Sequence, residues 1–350
     1  MKVLFFWEPP GLSLEKSNPY GGLLGAAMER LGIGFEAGFA HHLERSFLES
    51  NRIDVLHQNW PSHLYTDPDP RVAMARAAHL VNGLAYARSR GSKVVWTMHN
   101  LYPHSSDLPD LDRLVRLALT SLADSVIVHC EYGRRQLASH FHRTERVFTI
   151  PHGNFMDAYP GTVTRQEARA RLGIDEKSFV YLFFGTVRSN KGPEALLDAF
   201  SKLPGPDCTL LFAARIASDY GARIVNAAEK ADPRIRVIRS SFFANEEFPL
   251  YYSAADIAVL PFTEIMTSGS VITALSLGCP VLVPAIGCLP EVVDERVGWL
   301  YDPSDPEALL QSMKDVRGRD LESCRSAAIA LMRELHWDGI ARKTLDAYRA

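Results

Sequence analysis

Phe183-Phe-Gly-Thr-Val-Arg-Ser-Asn-Lys-Gly192 passes from an apolar run through a glycine and a short polar turn into a helix beginning near Pro193. A short apolar run without alternation fits a strand covered on both faces of a parallel sheet. The turn that follows holds Gly185, Arg188 and Lys191 at the strand's carboxyl end. Two cations beside the free N–H groups of a helix start suit a diphosphate.

The same alternation extends both ways along the chain. Val3–Trp7, Ile53–His57, Val94–Met98, Val126–His129 and Val147–Ile150 read as strands of a first domain. Phe179–Phe184, Thr209–Ala213, Ile235–Ile238, Ile257–Leu260 and Val281–Val283 read as strands of a second. Helical stretches separate them, which is the βαβ pattern of α/β folds. Pro151–Thr164 reads as the linker and the residues after His336 as a helical tail. The expected domains are 1–158, 159–335 and a tail helix over 336–350. In doubly wound sheets ligands bind outside the carboxyl ends of the strands. Site residues are therefore sought just after strands, in a cleft between the domains.

Composition narrows the functional classes. The 350 residues are 47% hydrophobic and 23% charged, with net charge −3, which suits a globular chain and gives nucleic acid no electrostatic footing. Five cysteines are too sparse for a disulfide scaffold. No apolar run reaches the ~18 residues of a spanning helix, so the expected compartment is the cytoplasm. Arg134, Arg135, Arg143 and Arg146 form a basic patch, the basis for expecting peripheral contact with an anionic membrane face.

Three further segments stand where ligands are expected. Leu260-Pro-Phe-Thr-Glu-Ile-Met-Thr-Ser-Gly-Ser270 runs from a strand into a helix. Its Thr267, Ser268, Gly269 and Ser270 offer hydroxyls and N–H groups to a phosphate or sugar, with Glu264, an acid at the mouth of the loop, a candidate catalytic residue. His99 follows a strand in Trp96-Thr-Met-His-Asn100 and is a candidate base. His57 and His152 hold similar places. Gly21 and Gly22, in Asn18-Pro-Tyr-Gly-Gly22, would let a helix N-terminus approach an anion. No GxGxxG or P-loop is present. Asp67-Pro-Asp69 and Asp110-Leu-Asp112 read as turn and cap residues, and no cluster has metal-ligand spacing.

Taken together, Trp96–Pro103, Ile150–Pro160, Phe183–Gly192 and Leu260–Glu291 resemble bacterial GT-B glycosyltransferases of the family 4-like group, in particular the GDP-mannose:glycolipid mannosyltransferases of exopolysaccharide synthesis. The resemblance implies GT-B architecture: two Rossmann-like doubly wound parallel-sheet domains facing across a cleft. It places the acceptor on the first domain and the sugar nucleotide on the second, with the tail helix returning to the first. Lys191 matches the family's diphosphate lysine. Thr186 stands where the family has arginine, with Arg188 two residues on. Ile265 and Thr273 occupy the positions of the family's paired glutamates, and Thr273 is carried over as a donor contact. Phe242 and Phe243 match the segment that holds the nucleotide base. Without the glutamate pair, an inverting reaction would need a base, for which His99 is the first candidate.

The function so implied is hexose transfer without a metal or other cofactor, in bacterial polysaccharide synthesis. GDP-mannose is the expected donor and a lipid-linked glycan at the inner membrane face the acceptor. A sugar-nucleotide epimerase on the same architecture and a catalytically silent glycosyltransferase-like binding subunit are the alternatives.

Overall fold

The computed structural model describes residues 1–7, 11–14, 18–103 and 106–350. The chain divides into two compact units, one of Met1–Gly153 with Leu335–Ala350, the other Asn154–Glu334. The divisions fall at Gly153/Asn154 and Glu334/Leu335, a few residues from those expected in the sequence.

The first unit holds β1 (Lys2–Phe6), β2 (Gly34–Gly38), β3 (Val55–Gln58), β4 (Lys93–Thr97), β5 (Ser125–Val128) and β6 (Val147–Thr149). They form one parallel sheet in the order β2-β1-β3-β4-β5-β6. The second unit holds β7 (Phe179–Thr186), β8 (Cys208–Arg215), β9 (Ile235–Ser240), β10 (Ile257–Val259), β11 (Val281–Pro284) and β12 (Gly298–Tyr301). Its parallel sheet runs β12-β11-β10-β7-β8-β9. The central strands are buried on both faces, which is why they read as continuous apolar runs.

Packing follows from this layering. In the second unit Phe183 of β7 stacks on its register partner Phe212 of β8, with centroids 4.6 Å apart. Tyr181, Leu196, Phe200, Leu210 and Met313 complete a core that covers one face of the sheet. Each such side chain contributes roughly 1.5–3 kcal/mol by leaving water. Asp256, just before β10, accepts hydrogen bonds from Arg169 Nη2 (2.8 Å) and the Val180 amide (2.7 Å), tying a helix to the starts of two strands.

The tail helix Trp337–Arg349 packs within the first unit. Ser125 Oγ donates to the Ala347 carbonyl (2.7 Å), and Arg30 Nε donates to Asp338 (3.0 Å). Trp337 lies against Gly153 so closely that a Cβ there would stand 2.6 Å from its ring.

Strand order also says where a ligand would sit. Chain order reverses between β1 and β3 in the first unit and between β7 and β10 in the second. Loops diverge at such switch points and leave a crevice. Among the described residues no helix is long and apolar enough to cross a membrane.

Candidate functional site

In the second unit, the loops after β7 and β10 flank the switch point and are bonded to each other. β7 ends at Thr186, and the single turn Ser189–Lys191 leads through Gly192 into the helix Pro193–Ser201. Gly192 has φ +60°, and a Cβ there would lie 2.0 Å from the Pro261 carbonyl oxygen, so the two loops touch backbone to backbone. The Thr263 amide donates to the Asn190 carbonyl (3.0 Å), and Lys191 Nζ donates to Ser270 Oγ (3.2 Å). Gly185, at φ +117°, leaves room for that ammonium, since a Cβ would stand 3.1 Å from Nζ.

Ser268 caps the helix Gly269–Ser276 by accepting from the Val271 amide (3.2 Å). Burial, then the nearby Arg188 charge, push the Lys191 ammonium down to about 8. A lysine whose charge is poorly solvated gains most when an anion arrives. Lys191, the exposed Arg188 and the helix start at Gly269 lie on adjoining loops, an arrangement whose two cations and helix-start amides suit a doubly charged anion.

The first unit gathers imidazoles at the carboxyl ends of β4 and β5. His99 Nε2 lies 2.9 Å from Asn59 Oδ1, and His99 Nδ1 lies 3.1 Å from His129 Nε2. His129 Nδ1 in turn donates to the Ile150 carbonyl (2.9 Å). Tyr20 meets His99 edge-on at 4.9 Å and His152 at 5.0 Å, and Trp7 and Trp60 pack on His99 from the switch point. Burial is the first cause that pushes the imidazoles down: His129 to about 4, His152 to about 3, and His99 well below its ordinary value. The group is therefore neutral near pH 7. Beside Trp7 opens a cavity of about 750 Å³, lined by Phe39, Leu64 and Val72 with Arg71 and His79.

Residues 164–325 match the family "Glycosyl transferases group 1", and residues 29–154 match "Glycosyltransferase Family 4". The chain is 30% identical over 278 residues to a GDP-mannose:glycolipid 4-beta-D-mannosyltransferase of Xanthomonas campestris pv. campestris, covering 76% of this chain and 72% of that one. This chain belongs to the GT-B glycosyltransferases. A D-inositol 3-phosphate glycosyltransferase of a Nocardioides species is 27% identical over 297 residues, covering 76% of this chain and 64% of the relative. In fold the glycosyltransferase is similar to Anabaena HepE, crystallised with UDP and glucose, at a TM-score of 0.73 with 16% identity, covering 99% of this chain and 98% of that one.

The glycosyltransferase brings together some of the expected residues and not others. Gly185, Lys191 and Ser270 converge, Arg188 flanks them, and Thr267, Ser268 and Gly269 form the adjoining loop. Glu264 is exposed on that loop, where its carbonyl accepts from Asn190 Nδ2 (3.4 Å).

Four expectations are corrected. Thr273 is buried in the helix, and its hydroxyl lies 3.1 Å from the Tyr159 hydroxyl, so it faces packing. Phe243 is buried against Phe184 (centroids 4.8 Å apart) and Tyr251, leaving of the pair only the exposed Phe242 as a surface ring. His57 lies inside β3, fully buried, with its nitrogens 2.7 Å from the Tyr348 and Thr97 hydroxyls; it joins the sheet to the tail helix. Gly21 and Gly22 make room for the chain itself: a Cβ on Gly22 would stand 2.6 Å from the Leu12 carbonyl, and one on Gly21 3.1 Å from Leu12 and Trp7.

Sequence reading passed over His129 and Asn59. The signal was present, because His129 follows β5 as His99 follows β4. Asp67 and Asp69 serve a turn and a helix cap, as expected, but Asp112 does neither: it is buried in the helix Pro109–Leu122 and accepts from the Tyr65 hydroxyl.

Proposed function

We propose that this glycosyltransferase transfers a hexose, with mannose from GDP-mannose the best reading, to a lipid-linked glycan. The observation that carries the reading is the contact of Lys191 with Ser270 across the β7/β10 switch point. Glycosyl transfer passes through a cation-like sugar while the diphosphate leaves with growing negative charge. Lys191, Arg188 and the amides opening the helix at Gly269 meet that charge, which is the basis for reading the enzyme as metal-independent. Donor chemistry belongs to the second unit. Acceptor chemistry belongs to the first, where Trp7, which meets His99 edge-on, lines an apolar cavity with Arg71 and Arg76 in its wall. An amphiphile with an anionic head suits such a cavity. The Xanthomonas relative is named for a GDP-mannose donor and a glycolipid acceptor. The reading places the enzyme in the cytoplasm, peripheral on the inner membrane face, in polysaccharide synthesis.

The test is incubation of the intact protein with labelled GDP-mannose and a lipid-linked oligosaccharide, with and without a chelator. Label moving into the lipid fraction in both arms is the expected result. Donor binding without transfer would favour a silent binding subunit. Epimerised nucleotide sugar without lipid labelling would favour the epimerase. Transfer from UDP-glucose but not GDP-mannose would overturn the donor.

A further inference from the structure

The cavity beside Trp7 lies between one face of a helix and the end of an edge strand. Arg71, Val72, Ala75, Arg76 and His79 form a single stripe of the helix Pro70–Ser89, at the three- and four-residue spacing that aligns side chains. The facing wall is residues 38–40, where β2 ends. His79 Nε2 donates to the Ala40 carbonyl (3.1 Å), which ties the two walls together, and the Phe39 amide donates to His42 Nδ1 (3.1 Å). Arg71 stands at the other end of the stripe, about 12 Å along the helix axis from His79.

What the cavity can recognise follows from what its polar groups already hold. His79 is bonded to Ala40, and His63 Nδ1 donates to the Trp60 carbonyl. Arg76 pairs with Asp67 (3.0 Å) and donates to the Thr66 carbonyl (3.2 Å). Among the described residues, Arg71 is the one cation of the lining whose side chain has no partner, and no carboxylate lines the cavity.

The rest of the lining is mostly apolar. Phe39 and Val72 keep 39% and 37% of their surface exposed, with Leu64 behind them. A sugar ring needs partners for its hydroxyls, and this wall offers few. A hydrocarbon chain needs none and gains by leaving water. A guanidinium without a partner at one end of such a wall suits a phosphate.

We propose that this cavity takes the carrier lipid of the acceptor: the hydrocarbon next to the phosphate lies along Phe39, Val72 and Ala75, and Arg71 binds the phosphate. The inference rests on the proposed lipid-linked acceptor and names the part of it that the first unit holds. The sugars then lie outside the cavity, on the far side of the phosphate. Chain and phosphate are recognised jointly, so a glycan lacking either is a poor acceptor.

The test is calorimetric binding of geranyl diphosphate, geraniol and inorganic pyrophosphate to the intact chain carrying Lys191→Ala, which silences the diphosphate site of the second unit. Geranyl diphosphate is expected to bind at least tenfold tighter than either of the others. Arg71→Gln should erase its advantage over geraniol, and Arg71→Lys should restore part of it. Ala75→Trp fills the cavity and should erase the advantage over pyrophosphate. Ala78→Trp, exposed on the same helix outside the lining, should bind as the parent does. With Lys191 restored, Arg71→Gln and Ala75→Trp should each raise the KM of the lipid-linked acceptor at least tenfold and leave donor Kd within twofold. Equal affinity for geranyl diphosphate and pyrophosphate, or binding unchanged in both variants, would overturn the proposal. So would variants that lose only binding to phosphatidylglycerol vesicles that geranyl diphosphate does not displace, since the cavity would then serve the bilayer. Because the binding arm needs no transfer, tight geranyl diphosphate binding in a protein that labels no lipid would sink the transfer reading and leave the lipid cavity standing. Transfer to lipid without such binding would sink the cavity alone.

Discussion

Lys191 Nζ stands 3.2 Å from Ser270 Oγ, so residues 79 apart in sequence meet at the one point where the second sheet reverses its strand order. The contact explains why two modest motifs make one site. The basic turn supplies charge. The serine loop supplies a hydroxyl, and the helix beside it supplies amides.

Removing the lysine should therefore act on transfer and leave the fold alone. Lys191→Ala is expected to cut kcat/KM by about 10²-fold or more, the typical consequence of losing one preorganised contact to developing charge. Urea unfolding should be unchanged within error. Full turnover in this variant would mean that the diphosphate lies elsewhere.

The same lysine should make donor binding pH-dependent. Burial and Arg188 hold its ammonium down at about 8, so the free enzyme carries the charge below that pH and loses it above. Donor Kd is expected to rise as pH passes through 8, approaching about tenfold per pH unit beyond it. Lys191→Arg stays charged, and its Kd should be flat over the same range. Calorimetry from pH 7 to 10 checks both, and equal slopes would remove Lys191 from the site.

Gly192 is the backbone hinge of this arrangement. Alanine there would be strained at φ +60° and would also meet the Pro261 carbonyl at 2.0 Å. Gly161, at φ +94° with no atom near its missing Cβ, isolates the backbone effect. Each substitution should cost about 1–3 kcal/mol for conformation, and Gly192→Ala should additionally weaken donor binding. Equal donor affinity in both variants would show that the contact between the loops does not shape the site.

How much of this was legible follows from the kind of signal each part leaves. The central strands were readable because burial on both faces writes an uninterrupted apolar run. β2 and β12 were not: Gly34–Gly38 (GFEAG) and Gly298–Tyr301 (GWLY) are half-covered and hold no run of Val or Ile, whereas the edge strands β6 (VFT) and β9 (IRVIRS) keep enough of these residues to be read. The loops after β7 and β10 were visible as motifs, since charge and small hydroxyl residues at strand ends are local features. That they touch is a property of strand order, which only the fold supplies. The histidines misled in one respect. His57 looks like a strand-end residue, but one more strand residue, Gln58, follows it, and the tail helix takes its nitrogen. The resemblance carried Phe243 and Thr273 to positions that this chain uses for packing.

Asp256 should matter to stability and not to transfer. It lies at the amino ends of the strands, buried, and holds Arg169 and the Val180 amide. Asp256→Ala strands the Arg169 guanidinium in the interior, which is expected to cost about 3–5 kcal/mol. At a temperature where the variant remains folded, its kcat should match the parent. A large loss of kcat with unchanged unfolding would contradict this division of labour.

Acid should loosen the first unit through His57. Its imidazole is fully buried between the Tyr348 and Thr97 hydroxyls, and burial pushes it from its ordinary 6.5 down to about 3. The unfolded chain therefore takes up a proton below pH 6.5 that the folded chain refuses. Stability is full above that pH and declines as pH falls toward 3. At pH 5 this histidine alone should cost about 2 kcal/mol. His57→Gln keeps a polar side chain but cannot titrate, so it should be less stable than the parent at pH 7 and lose less on acidification. Urea unfolding of the intact chain at pH 7, 6 and 5 measures both slopes. If parent and variant decline in parallel, the acid sensitivity belongs to other groups and the burial of His57 carries no linkage.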